Sequence, residues 1–289
     1  LLAIGADVEA AIGVLNAVYE VREFEPVANM EQLATGTLSV TRTVIGGGSA
    51  YLLDSGQRRI WRVPLDGGGA PESVFKDGEI GFVTPGRPVS IGWSEDTGVL
   101  IILDDMRQVF GYFPDRGVLP LAVRGAEGWG GGDSIATSGG NLYVLDAAAG
   151  QVWRYLPGQS GYDSERSALL DGATLTDATE IAVAQDVYVL DRELGIRRFS
   201  ARVEAPFPLA GIDRPLLEPA SLSILPGSNR LAVADRGNKR IVLTSADGAF
   251  LRQIVSPAFT DLRAVAIDEG TGTLYVLNGN TLLEAPFPP

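Results

Sequence analysis

Six short apolar runs, each closed by Asp or Asn, recur along the chain. They occupy 50–54, 100–104, 142–146, 187–191, 231–235 and 274–278 and end in Asp54, Asp104, Asp146, Asp191, Asp235 and Asn278, so successive end residues lie 50, 42, 45, 44 and 43 positions apart. A continuous β-favouring run of this length predicts a strand covered on both faces. After a tight turn comes a second segment in which apolar and polar positions alternate, at 59–63, 108–112, 151–155, 196–199 and 240–243; one side of each should be wetter. Ahead of each Asp-ending run, turn residues set off an earlier strand, as at 221–224 and 264–267, and a weaker fourth strand, such as 250–254, closes most units.

A period of about 40–45 residues carrying four strands matches one propeller blade. Four antiparallel strands cannot bury both faces alone, and stacking six such sheets around an axis covers them. The expected fold is therefore all-β, a six-bladed β-propeller over 21–289. The sixth unit has only three strands (264–267, 274–277 and 282–285) before the chain stops. The stretch 21–27 alternates weakly and is placed to supply the missing outer strand, closing the ring. Upstream, 7–19 carries apolar residues at helical spacing, which predicts a short N-terminal helix within 1–20, packed on the propeller or ending a stalk.

Composition narrows the chemistry. Lys and Arg number 23 against 36 Asp and Glu, a formal charge of −13. That surface repels phosphate backbones and anionic bilayers, so no nucleic-acid partner is expected. Histidine and cysteine are both absent, which excludes Ser-His-Asp and Cys-His catalysis, disulfides, and His- or thiolate-held metal. The chain begins with Leu1 and reads as a piece of a longer protein. No apolar run approaches 18 residues, so membrane attachment is expected only through a missing upstream segment.

Aligning the units on their end residues pairs the starts of the innermost strands: 41–42, 89–90, 133–134, 179–180, 220–221 and 263–264. Four residues there are charged: Arg42, Asp133, Glu180 and Arg263. Charges on innermost strands must be paired, solvated or used. Two readings follow: ion pairs across a wet tunnel, or a channel-mouth site for a small polar ligand or a protein partner. In the second, an Arg grips a carboxylate while the acids hold an amine or Ca²⁺. On the same face Trp129 sits in the glycine-rich loop 124–133, either exposed as a ligand anchor or folded back as a plug. The recurring Asp residues suit turn caps accepting backbone N–H bonds, with a cation-binding ring as the alternative. Tyr51, Tyr143, Tyr188 and Tyr275 share one strand position and should pack between blades, as should Trp61 and Trp153; the loop 157–166 should be solvated.

The fifth unit is the most diagnostic. Asp235, Asn238, Lys239, Arg240 and Ile241, followed by Asp247-Gly248, resemble an NHL repeat, with Lys239 where that repeat usually carries His. The resemblance implies a non-enzymatic, ligand- or protein-binding propeller. Its kin include extracytoplasmic sensor or scaffold portions of bacterial Ser/Thr kinases and related signalling proteins, without a cofactor. The alternative it implies is a metal-dependent lactonase or hydrolase. Such propellers hold metal with an Asp, Asn and Glu set at the channel, and here only Asp133 and Glu180 fall in place as metal candidates.

Overall fold

A computed structural model describes residues 19–33, 37–76, 78, 80–225 and 227–287. It is an all-β, six-bladed propeller. Blade 1 runs from the axis outward as Val40–Gly46, Ser49–Asp54, Arg59–Pro64 and Glu72–Phe75. Blades 2 to 5 repeat the order, with innermost strands Pro88–Ser94, Ser134–Ser138, Ala178–Val183 and Pro219–Leu225. Blade 6 is built from Leu262–Asp268, Thr273–Asn278 and Thr281–Pro286. Its outer strand, Glu25–Asn29, comes from the other end of the chain and pairs antiparallel with Thr281–Pro286. The expected closure thus forms, a few residues downstream of the predicted 21–27. The innermost strands contact one another in sequence order, and the sixth contacts the first.

The second strand of each blade is buried along nearly its whole length, as a continuous apolar run requires. The core is six clusters, one in each gap between adjacent blades. Tyr51, Tyr143, Tyr188 and Tyr275 each fill the gap toward the following blade; Trp61 and Trp153 face the preceding one.

Two outer edges acquire a fifth strand that the periodicity did not reveal. Tyr19–Val21 pairs parallel with Gln253–Val255 of blade 5. The predicted helix otherwise lies outside the described residues. Gly161–Tyr162 pairs parallel with Ala122–Val123 of blade 2, and Tyr162 is buried in the gap between blades 2 and 3. The loop expected to be solvated is therefore partly anchored, because a bare sheet edge offers unpaired backbone groups and Tyr162 brings a large apolar surface.

The recurring acids are turn caps. Asp54 accepts from the N–H groups of Ser39, Gly56 and Gln57; Asp104 from Gly86, Met106 and Gln108; Asp146 from Gly130, Gly131 and Ala149. Asn278 accepts from Thr260 and Asp261. Asp54, Asp104 and Asp146 each tighten the turn after their own strand. In these four blades the side chain also binds the loop leading into the innermost strand, which explains the repetition without ligand chemistry.

Candidate functional site

One position recurs at the start of every innermost strand: Arg42, Ser90, Ser134, Glu180, Ser221 and Ala264 each pair with the residue just before the capping acid or amide. In blades 2 and 3 the serine hydroxyl accepts from the next blade: Ile135 N–H donates to Ser90 at 3.0 Å and Ile181 N–H to Ser134 at 3.4 Å. In blade 4 the serine is replaced by Glu180. Its Oε2 takes the equivalent bond, from Leu222 N–H at 2.7 Å. The longer side chain leaves Oε1 free to reach further, and it accepts from Arg42 Nη1 at 2.5 Å, while Arg42 Nη2 donates to Thr179 O at 2.7 Å.

Blades 1 and 4 stand three places apart in a ring of six. The Arg42–Glu180 pair therefore bridges diametrically opposed blades across the axis. Both side chains are largely out of solvent, 19% and 14% exposed. Burial pushes the Glu180 carboxyl above its ordinary range, against the opposing pull of Arg42, the Leu222 N–H and the Ser221 hydroxyl.

From this pair a funnel of about 1040 Å³ extends along the axis. Among the described residues its lining begins at Thr43, Glu180 and Ser221 and ends at the turns joining first to second strands, including Gly46–Gly48, Glu95–Asp96 and Asp268–Glu269. Glu180, with Arg42 bonded to it, thus stands at the floor, and the funnel opens on the face opposite the one expected from the sequence. Trp93 lines it and is the sole aromatic residue of the six innermost strands. Its indole stacks on Tyr51 (5.5 Å between centroids) and its Nε1 donates to Glu95 at 2.7 Å. A Cβ on Gly46 would lie 2.2 Å from the ring, so only glycine lets that backbone cover the other face. Trp93 is a fixed wall rather than a stacking platform. Its signals in the sequence were a lone aromatic on an aliphatic innermost strand and the glycine run 46–48.

The other expected residues do not join this site. Asp133 is exposed and accepts from Ala147 N–H at 3.0 Å; it caps its own blade's turn. Arg263 pairs with Asp261 and donates to Val40 O and Asn280 Oδ1, tying blade 6 to blade 1. Both occupy the place just before the ring position. Of the two readings of Trp129, exposed anchor or folded-back plug, the structure shows the second: it is 1% exposed. Its Nε1 donates to Tyr155 Oη at 2.7 Å, and it packs in the gap between blades 2 and 3. The glycines around it let the loop fold back rather than leave the ring outside.

The residues present do not make up a metal centre. Among the described residues no group of three or more Asp, Glu, His or Cys could hold an ion. The two metal candidates belong to no such group, and Asp133 caps its own blade's turn through Ala147.

No family model and no curated protein matches the chain by sequence. Among solved structures the fold is similar to a gluconolactonase from Xanthomonas campestris, with 14% identity, a TM-score of 0.64, and coverage of 92% of this chain and 96% of that one. This corrects the expectation of a non-enzymatic sensor or scaffold. That expectation rested on the fifth unit's resemblance to NHL repeats of sensor proteins, whereas the fold matched across nearly the whole chain is that of an enzyme. The similarity at this identity speaks for the fold.

Proposed function

We propose that this chain is a propeller hydrolase of the lactonase type, opening a small polar ring ester at the floor of the axial funnel. The observation that carries the reading is the position of the Arg42–Glu180 pair, a buried carboxylate and guanidinium at the closed end of a cavity large enough for such a substrate. The fold it shares with a gluconolactonase supports the same class.

In this reading the ionised Glu180 takes a proton from water, and the water oxygen attacks the ring carbonyl carbon. Arg42 stabilises the negative charge that develops on the carbonyl oxygen. The ring C–O bond then breaks, and the departing alkoxide takes the proton back from Glu180, leaving a hydroxy acid and the enzyme unchanged. Burial suits Glu180 to this work, because a carboxyl with a raised pKa is a stronger base once ionised. No step runs through a metal.

The test is proton release from a panel of γ- and δ-lactones, with added Ca²⁺ and with chelator. Hydrolysis above the spontaneous rate, insensitive to chelation and lowered about 10²- to 10⁴-fold in Glu180→Gln, is the expected result. Failure of the wild-type chain to accelerate any lactone under either condition overturns the reading.

A further inference from the structure

The funnel's lining is charged with one sign. Glu95, Asp96, Glu180, Asp268 and Glu269 line it, and no Lys or Arg does so among the described residues. Arg42, the cation at the floor, is engaged by Glu180 and Thr179 O. Three of the rim carboxylates are held in place: Glu95 by the Trp93 indole, Asp268 by the N–H groups of Gly270 and Thr271, and Glu269 by Gly227 N–H and the Ser228 hydroxyl. A concave site lined by one sign of charge and walled by low-dielectric protein focuses its field inward.

We infer that the funnel selects by charge: it admits neutral or cationic ring esters, turns away anionic ones, and expels the carboxylate product that hydrolysis creates. The inference rests on the lactonase reading for its substrate and adds the class of substrate taken. A neutral lactone enters without electrostatic cost. Once the ring opens, the new carboxylate stands within a wall of like charge, which favours its departure.

Two measurements test this, one of them independent of turnover. Quenching of the Trp93 fluorescence, isolated as the difference from Trp93→Phe, is read with caesium, acrylamide and iodide at low ionic strength. Caesium and acrylamide should quench about threefold or more better than iodide. The gap should narrow in Asp96→Asn/Glu269→Gln and close in salt of about 1 M, where the screening length falls to about 3 Å. Equal quenching by caesium and iodide overturns the inference. The second measurement compares hydrolysis of a neutral sugar lactone with a carboxylate-bearing one of the same ring. A preference of about tenfold or more for the neutral substrate, weakening with salt, is expected. If no lactone is hydrolysed yet quenching keeps its charge bias, the hydrolase reading fails and charge selection stands. If both lactones are hydrolysed equally and quenching ignores charge, selection fails and the hydrolase reading stands.

Discussion

Arg240 and Asp235 meet in blade 5 with neither side chain touching solvent, Nε lying 2.7 Å from Oδ2. The remaining guanidinium donors are spent on Asp213, Gln253 and the carbonyl of Arg214. Asn238 donates to the same Asp235 oxygen and to Pro215 O. The Asp, Asn and Arg that made this unit diagnostic are thus one buried bracket holding the turn, the strand and the loop that leads into the blade.

Removing one partner of such a pair strands the other charge. Arg240→Ala is expected to lower the unfolding free energy by about 3–5 kcal/mol, measured by denaturant titration. Arg240→Lys should restore only part of this, since an ammonium cannot reproduce the guanidinium fork. Arg116→Ala, which disturbs an exposed pair with Asp115, should cost under about 1 kcal/mol.

Trp129→Ala should destabilise the fold by about 3–5 kcal/mol through the cavity it leaves. Trp129→Phe should cost less, chiefly the lost bond to Tyr155. Because Trp129 packs between blades rather than in the funnel, neither change should alter the KM for a lactone. A KM shift of tenfold in a variant that remains folded would place the indole in the binding site after all.

The pH dependence of hydrolysis follows from Glu180. Its carboxyl is raised by burial, and the base works only when ionised. The ascending limb of kcat against pH should therefore lie above the ordinary carboxylate range of about 4.3. In Glu180→Gln the limb should vanish along with most of the rate. A limb that persists unchanged in the variant assigns the base elsewhere.

Stability should fall in acid at the rim of blade 4. Arg197 holds Glu204 through two hydrogen bonds and lowers its pKa against the opposing effect of burial. A carboxylate held below its unfolded value contributes stability above the unfolded pKa and loses it as pH falls through the folded one. Glu204→Gln should remove that part of the acid sensitivity, visible as a shallower decline of Tm below about pH 4.5.

The period, the blade count and the shared sixth blade were legible in the sequence, because a strand buried on both faces must be apolar throughout and such runs recur at a fixed spacing. The site was legible only in part. Arg42 and Glu180 were singled out as charges on innermost strands, and they meet. Asp133 and Arg263 fell in the same two-residue windows but one place earlier. In five blades the ladder slips by a residue there, as between Val40 and Arg42 or Leu262 and Ala264, and apolar patterning does not mark such a bulge. Which of its two readings Trp129 takes, and that Trp93 lines the funnel at all, were hidden for a similar reason. Burial of a loop tryptophan depends on where the loop folds, and the approach of Gly46 to Trp93 joins two different blades.

The pairing of Glu25–Asn29 with Thr281–Pro286 sets a timetable for synthesis. The first of these segments leaves the ribosome more than 250 residues before the second, so five blades can assemble while it waits without its hydrogen-bonding mate. Blade 6 forms only when Thr281–Pro286 emerges, and the ring is sealed in a single event of high contact order. A nascent chain arrested short of residue 281 therefore carries an open, sticky crescent, and this is the stage at which it most needs a chaperone's cover.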